Sequence, residues 1–254
     1  MLILAVGMPR AGSGWHYNLI HDLNVAAGGT DARRIRQQFH LESILTEVNC
    51  NLGALTPRRL LLCLLPSLFG YTYVFKAHAA PTPVAKWLLR RGWMKAAYIY
   101  RDPRDALLSA YENGRRAREK GHRNAFAELI DFEHALDFMR QYVAISEQWL
   151  AIPSVLATRY ENLLLDYPSE SKRLAQFLGL DPAVPEIQAV IERYQPQRSQ
   201  GEQKGLHFRQ GKIGRHRQVF NEQEVELLDR TFQPYLLAHG YPMAGTIQVP
   251  QPEQ

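Results

Sequence analysis

Basic residues follow three short apolar runs of the 254-residue chain, at the points where those runs end. Arg10 follows the first run, Lys76 and His78 follow the second, and Arg101 follows the third. Guanidinium and ammonium groups bind anions, and an imidazole can also accept a proton near neutral pH. No acidic metal ligands accompany these four residues. The set predicts a site for a highly anionic ligand that is handled without Mg²⁺.

The segment of residues 7–15 has the composition of an anion-binding loop. Residues 2–6 predict a buried strand, and residues 15–25 predict a helix. Between them Gly12 and Gly14 permit a sharp turn and a close approach of the backbone. A helix N-terminus and several backbone N–H groups then point to one place, which suits a phosphate. Taken alone, a Gly-x-Gly pattern is equally compatible with an ordinary strand-to-helix turn.

Composition narrows the class of protein. Hydrophobic residues make up 46% of the chain, and 30 Lys and Arg against 25 Asp and Glu give a net charge of +5, which favours anionic partners. The two cysteines have no metal-ligand spacing and fit a reducing compartment. Pro66 and Gly70 interrupt the apolar residues 60–75, which are too few to span a membrane, and no secretory signal is visible. We therefore expect a soluble, cytoplasmic protein without stable membrane insertion.

The rest of the chain alternates predicted helices and strands without an internal repeat. Further strands are predicted at residues 71–75, 96–100 and 155–158, and helices at 41–48, 56–65, 84–91, from 105, 132–149, 169–178, 185–194 and 222–239. We expect one α/β domain, residues 1–245, with helices in two layers around a mostly parallel central sheet, and a tail at 246–254. In such sheets ligands bind beyond the carboxyl ends of the strands. That rule brings Arg10, Lys76, His78 and Arg101 within reach of one another.

These motifs resemble those of the sulfotransferases that use 3′-phosphoadenosine 5′-phosphosulfate (PAPS). The loop Pro-Lys-Ser-Gly-Thr-Thr-Trp of that family corresponds to Pro9-Arg10-Ala11-Gly12-Ser13-Gly14-Trp15. The resemblance implies that Arg10, Ala11, Gly12, Ser13, Gly14 and Trp15 wrap the 5′-phosphosulfate. Arg10 stands where the family usually has its catalytic lysine, as in some bacterial and tyrosylprotein relatives, and Gly14 replaces a hydroxyl residue.

Two further blocks in the middle of the chain resemble the same family. A strand that ends in Arg101 is followed eight residues later by Ser109, and in the family this pair holds the 3′-phosphate. The arginine fork matches phosphate geometry. Lys76-Ala77-His78 resembles the Lys-Thr-His element whose histidine is the general base. The resemblance thus implies that Arg101 and Ser109 bind the cosubstrate and that His78 is catalytic.

The last two blocks complete the resemblance, which runs from residue 2 to about 240. Tyr160, followed later by Phe177-Leu178-Gly179, resembles the block whose tyrosine lies by the adenine. Arg209, Gln210 and Gly211 occupy the signature that binds the 3′-phosphate from the C-terminal side, with Gln210 in place of a lysine. The C-terminal dimerisation motif of the family has no clear counterpart, so the oligomeric state stays open.

The mechanism that the resemblance implies is in-line displacement at sulfur. His78 removes the proton of an acceptor hydroxyl or amine, so we expect its pKa to lie near neutral. Arg10, Lys76 and the loop amides stabilise the charge that grows on the oxygens as adenosine 3′,5′-bisphosphate (PAP) leaves. Because arginine does not readily release a proton, Lys76 is the better candidate to act on the leaving oxygen.

Two other classes remain open at this point. A small-molecule P-loop kinase would need Lys-Ser or Lys-Thr after the glycines, which the chain lacks. A non-catalytic polyanion-binding module could use the basic stretches 33–36, 115–123 and 209–217, but these lack aromatic residues for stacking on bases, and no nucleic-acid partner is expected. The acceptor, a small molecule or a carrier-bound group, is not specified. We expect segments 26–56, 112–130 and 196–208 to form its walls.

Overall fold

The computed structural model describes residues 1–122, 124–196 and 211–243. The strands are β1 (Leu2–Gly7), β2 (Asn51–Leu52), β3 (Tyr73–Ala77), β4 (Met94–Tyr100) and β5 (Leu156–Arg159). The helices are α1 (Ser13–Ala26), α2 (Ala32–Gln38), α3 (Pro57–Leu68), α4 (Pro83–Arg90), α5 (Pro103–Glu119), α6 (Phe132–Leu150), α7 (Tyr160–Leu165), α8 (Tyr167–Leu178), α9 (Pro185–Arg193), α10 (His216–Val219) and α11 (Glu222–Ala238).

The five strands form one parallel sheet in the order β2-β3-β1-β4-β5. All six residues of β1 are buried, as expected for an apolar strand covered on both faces. Val6 lies opposite Ala77 of β3 and Tyr98 of β4, so these three central strands end at the same edge of the sheet. The predicted α/β fold with a central parallel sheet is confirmed.

Side chains that alternate along the strands fill two cores, one on each face of the sheet. One core contains Leu2, Leu4 and Val6 of β1 with inner residues of α2, α3 and α4 and with Trp149. The opposite core contains Ile3 and Ala5 with residues of α1, α7, α8 and α9. These helices therefore form the two outer layers of the fold and hold the carboxyl edge of the sheet in place.

The chain folds into two compact units. The first contains Met1–Arg101 and Ala144–Gly211, and the second contains Asp102–Val143 and the described residues from Lys212 onward. In the second unit the fully buried Arg104 donates to Asp102 (2.7 Å) and Asp229 (2.5 Å). Because a buried guanidinium needs carboxylate partners, this triad ties the start of α5 to α11.

Several helices begin at the capping residues that their sequence contains. Thr56 accepts a hydrogen bond from the Arg59 amide at the start of α3, and Asn221 with Glu224 forms a capping box at the start of α11. Proline follows the cap of α3, α4 and α5, where its missing N–H costs nothing. The helix starts expected at Thr56 and Asn221 are confirmed.

The predicted helix at 41–48 is wrong. Leu41 and Leu45 are buried at helical spacing, but they lie in turns, and Leu45 instead forms a bridge with Leu52. The helix of this region comes earlier, at α2, because Asp31 caps it by accepting from the Arg33 amide. It ends before His40, whose φ of +53° reverses the chain. The short elements β2, α7 and α10 were not predicted.

The described residues contain neither a cluster of metal ligands nor a membrane-spanning helix. These residues contain no cluster of three or more His, Cys, Asp or Glu side chains that could hold a metal ion. None of the helices in the described ranges is long and apolar enough to cross a membrane. The predicted acceptor wall at 196–208 lies outside the described residues except for Pro196, and the predicted tail at 246–254 lies wholly outside them.

Candidate active site

The loop between β1 and α1 has the backbone geometry of an anion site. Arg10 and Gly12 both adopt positive φ, +66° and +77°. Alternation of left- and right-handed residues turns successive N–H groups toward one concave side. The N-terminus of α1 follows at Ser13 with no side-chain cap and no acidic residue in its first turn. The loop therefore presents amides and a helix N-terminus to an anion.

Position 12 requires glycine for two reasons: the ring of Tyr160 leaves no room for a side chain, and the backbone φ is positive. A Cβ at this position would lie 2.8 Å from a ring carbon of Tyr160. The Tyr160 ring packs in turn beneath Arg101, whose Cζ lies 4.4 Å from the ring centroid. Arg101 Nη1 donates to the carbonyl oxygen of Arg10 (3.3 Å). The end of β4 and the start of α7 thus pack against the loop.

Lys76 is the penultimate residue of β3 and is 7% exposed. It lies opposite Ala5 in the register, on the strand next to β1. Burial, and then the nearby charge of Arg10, lower the pKa of Lys76 to about 8. Lys76 therefore remains mostly protonated at pH 7 but is a stronger acid than an ordinary lysine.

His78 is fixed directly beside the loop. Its Nδ1 lies 2.6 Å from the carbonyl oxygen of Gly7, the last residue of β1. A carbonyl oxygen only accepts, so Nδ1 carries the proton and donates. In the neutral ring Nε2 is then the nitrogen with a free lone pair. This tautomer is the one that a general base needs.

The expected near-neutral pKa of His78 is wrong. Burial is the main cause that lowers the pKa of this imidazole to about 3, followed by the charge of Lys76 and then of Arg10; the hydrogen bond to Gly7 opposes them only in part. Two cations close to a partly buried ring disfavour a third positive charge. His78 is therefore neutral at pH 7.

Trp15 takes part in the loop through its backbone alone. Its indole is 1% exposed, stacks on Tyr167 at a centroid distance of 5.8 Å, and donates through Nε1 to the carbonyl oxygen of Tyr194 (2.9 Å). The side chain belongs to the core between α1, α8 and α9. Tyr160 is also buried, at 5% exposure, so any contact that it makes with a ligand uses a small part of its ring.

The second unit contains Ser109 among the predicted site residues, and the first unit ends with Gly211. Ser109 lies on α5. On the same helix Asp105 accepts from the Gly214 amide (2.7 Å), from the His216 amide (3.1 Å) and from His216 Nδ1 (2.8 Å). Asp105 thereby holds the segment that follows Gly211, whose own φ is +57°. Arg209 and Gln210 lie outside the described residues.

A family model for the sulfotransferase domain matches residues 3–244. The chain belongs to the sulfotransferase domain family. This membership confirms the predicted family, the sulfotransferases that use PAPS, and the predicted class of enzyme. It decides against the P-loop kinase and the polyanion-binding module. No curated protein sequence matches the chain.

Solved structures share the fold of this sulfotransferase. A retinol dehydratase with androsterone and the inactive cofactor PAP gives a TM-score of 0.57 at 19% identity, over 97% of this chain and 82% of that chain. A retinol dehydratase with retinol and PAP gives 0.59 at 19% identity, over 92% and 81%. The mouse sulfotransferase SULT7A1 with PAP gives 0.59 at 15% identity, over 92% and 83%. At sequence identities this low, the comparison shows a similar fold and nothing more.

Sequence reasoning missed the residues that position the site. Asp105 and Arg104 follow Arg101 closely, in Arg101-Asp102-Pro103-Arg104-Asp105, and both are buried. Two acids and a second arginine beside the apolar residues of the first turns of α5 are a signal that could have been read, because buried charges need partners. Their partners Asp229 and His216 lie more than a hundred residues away, so the pairing itself was not visible.

Replacement of Gly12 by alanine tests the close approach of Tyr160. The matched control is Gly179→Ala, since Gly179 has a similar φ of +83° but nothing within 4 Å of its Cβ direction. Positive φ costs an alanine about 1–2 kcal/mol in both variants. Gly12→Ala should lose about 1–3 kcal/mol more of the free energy of unfolding, because the ring must move. Urea denaturation measures both values, and equal losses would contradict the packing of Tyr160 on the loop.

Proposed function

We propose that this sulfotransferase transfers the sulfuryl group of PAPS to a hydroxyl or amine of a small-molecule acceptor, with His78 as general base. The hydrogen bond from His78 Nδ1 to Gly7 carries this proposal. It joins the predicted base to the strand that leads into the anion loop. It also leaves Nε2 free of a proton, so that the ring can accept one from an acceptor.

The residues of the loop fit the phosphosulfate end of PAPS. Amides in alternating backbone conformations, an uncapped helix N-terminus and buried cations offer hydrogen bonds and charge to a group of several oxygens. Arg10, Ala11, Gly12, Ser13, Gly14 and Trp15 would bind the 5′-phosphosulfate, the last four through the amides of the loop and the first turn of α1. The three solved structures with this fold hold PAP, the product that PAPS leaves behind.

The end of the cosubstrate that carries the adenine and the 3′-phosphate is proposed to bind a second set of residues: Arg101, Ser109, Tyr160, Arg209, Gln210 and Gly211. Arg101 is 8% exposed and rests on the Tyr160 ring, which fixes the plane of its guanidinium. A fixed guanidinium loses less freedom when it binds a phosphate. Asp105 restrains the residues after Gly211 and would thereby support the 3′-phosphate segment.

The reaction breaks the bond between sulfur and the bridging oxygen of the 5′-phosphate, and it forms a bond between sulfur and the acceptor atom. His78 Nε2 takes the proton of the acceptor as this bond forms. The bridging oxygen keeps the electron pair of the broken bond. Lys76 lies in the strand beside the loop, and its lowered pKa suits it to donate a hydrogen bond or a proton to that oxygen. Arg10 only stabilises charge, because a guanidinium keeps its proton.

The fold relatives support a small apolar alcohol as the acceptor class. Two retinol dehydratase structures hold androsterone or retinol, and both ligands carry a hydroxyl on an apolar frame. Our proposal for this chain is a hydroxyl compound of that kind, rather than a carrier-bound group.

Transfer of labelled sulfate from PAPS tests the proposed function. The purified protein is incubated with sulfur-labelled PAPS and a panel of sterols, phenols, retinoids, sugars and amines, with EDTA present. We expect a labelled product with one acceptor class and a rise of the melting temperature on addition of PAP. If PAP leaves the melting temperature unchanged and no acceptor class is labelled, the proposal is overturned.

His78→Ala should lose turnover but keep binding of the cosubstrate. Removal of a general base costs about 10²–10⁴-fold in kcat. PAP affinity, measured by calorimetry, should stay within about threefold, because the imidazole does not carry the anion. His134→Ala is the control, since His134 is an exposed histidine paired with Asp131. Near-normal turnover of His78→Ala would remove His78 from the mechanism.

Binding of PAP should raise the pKa of His78. Lys76 and Arg10 help to hold this pKa at about 3, and a phosphate beside them adds the opposite charge, which favours the protonated ring. With PAP we expect a shift of about one unit or more toward 6.5, seen by NMR of labelled histidine. A His78 signal that titrates near 6.5 without PAP would contradict the argument.

A further inference from the structure

Helix α3 is apolar on two faces, of which only one is covered. Its inner residues Leu60, Cys63 and Leu64 are buried in the core beneath the sheet. Its outer residues Leu61, Leu62, Leu65 and Leu68, and Phe69 just beyond the helix, are exposed, Leu68 by 71% and Phe69 by 69%. Leu61, Leu65 and Leu68 are spaced by four and three residues, and Leu62, Leu65 and Phe69 by three and four, so both rows lie on the outer side of the helix. A helix with apolar residues all round is expected to have a second apolar partner.

Helix α4 adds tryptophan and cations beside this apolar stripe. Ala85, Leu88 and Leu89 are buried against the sheet, while Lys86, Trp87, Arg90 and Arg91 are exposed, as is Trp93. The rings of Trp87 and Trp93 meet edge to face at a centroid distance of 5.2 Å. Arg91 lies 5.9 Å from the centre of the Trp87 ring. Tryptophan and arginine side chains grouped in this way are typical of surfaces that are apolar on one side and charged on the other.

The outer sides of α3 and α4 belong to one side of the molecule. Both helices pack on the same face of the sheet, in the core that contains Leu2, Leu4 and Val6, and the two helices contact each other. Side chains that point away from that core therefore point in the same general direction. We call this the α3–α4 surface; it consists of Arg58, Leu61, Leu62, Leu65, Leu68, Phe69, Lys86, Trp87, Arg90, Arg91 and Trp93.

The charge of this surface has one sign. The chain contains no Asp or Glu between Glu47 and Asp102. Arg58, Lys86, Arg90 and Arg91 are exposed, and none of the four forms an ion pair within the described part of the chain. A second copy of the same surface would bring these cations against one another. The occupant that fits is apolar and carries negative charge.

We propose that the α3–α4 surface binds membranes that contain anionic phospholipids. Leucine and tryptophan side chains enter the interface between headgroups and acyl chains, where tryptophan is favoured. The four cations lie at the level of the lipid phosphates. A helix such as α3 then rests in the plane of the interface, with its uncovered face toward the lipid.

One end of the α3–α4 surface lies far from the anion loop. Phe69 lies a few residues before the start of β3, and Trp93 directly precedes the start of β4. The loop follows the opposite, carboxyl end of β1, six residues and therefore about 17 Å further along the sheet. The end of the α3–α4 surface that contains Phe69 and Trp93 therefore lies at the opposite edge of the sheet from the anion loop.

Cosedimentation with lipid vesicles tests this proposal with the full chain. We expect binding to phosphatidylcholine vesicles that contain about 30% phosphatidylserine, and binding at least about tenfold weaker to pure phosphatidylcholine. Salt at about 0.5 M should weaken the binding strongly, because it screens the cations. No binding to the anionic vesicles at any protein concentration would overturn the proposal.

Paired variants locate the binding on this surface. Leu61→Ser with Leu68→Ser, and Lys86→Ala with Arg90→Ala, should each weaken vesicle binding about tenfold or more. The matched controls are Leu165→Ser with Leu237→Ser, two exposed leucines elsewhere, and Arg140→Ala with Lys172→Ala, two exposed cations elsewhere. Controls should bind like the parent, and all four proteins should melt cooperatively. Equal binding by surface variants and controls would overturn the proposal.

Tryptophan fluorescence of the parent protein tests the proposal without relying on the folding of the leucine or cation variants. Of the four tryptophans, Trp15 and Trp149 are buried, whereas Trp87 and Trp93 are exposed on the α3–α4 surface. Vesicles with brominated acyl chains should therefore quench the fluorescence of the parent and spare that of Trp87→Phe with Trp93→Phe. If the leucine pair instead abolishes a dimer in sedimentation and lipid is not bound, the surface joins two copies and the proposal is wrong.

Discussion

The structure of the site depends on cations that are buried at the carboxyl edge of a parallel sheet. Lys76 is almost fully buried, and both its pKa and that of His78 are lowered by loss of water and by neighbouring positive charge. Such an arrangement costs stability in the folded chain. An anion bound at the loop would neutralise part of this positive charge. The repulsion between the buried cations would then fall, and this relief would contribute to the affinity for the anion.

The position of β1 makes this arrangement possible. It lies between β3 and β4, so the loop that follows it has Lys76 and His78 on one side and Arg101 on the other. Gly7 at its end has no room for a Cβ, which would lie 2.5 Å from Ile99. The carbonyl oxygen of Gly7 accepts from His78, which follows β3 on the other side, so the same strand end leads into the loop and holds His78.

Sequence patterns predicted β1, β3, β4 and β5 and the residues at their ends, because both depend on local apolar runs and on one rule of sheet topology. They did not predict the pKa of His78, since burial and the approach of Lys76 and Arg10 are properties of the packed fold. They also placed a helix at 41–48, where leucines at helical spacing are buried in turns. Spacing shows which residues are buried, but it does not show whether the backbone between them is helical.

The proposed membrane surface and the site differ in the way that each was found. The site was visible as motifs, whereas α3 was predicted as an ordinary core helix from its leucines. Only the packing shows that Leu60 and Cys63 suffice to cover the sheet and that Leu61, Leu65 and Leu68 remain outside. A core helix needs no apolar residue on its outer side, and exposed leucines there lower solubility. Their presence beside cations, in a stretch of the chain without a single acid, is explained by a lipid partner and not by the fold.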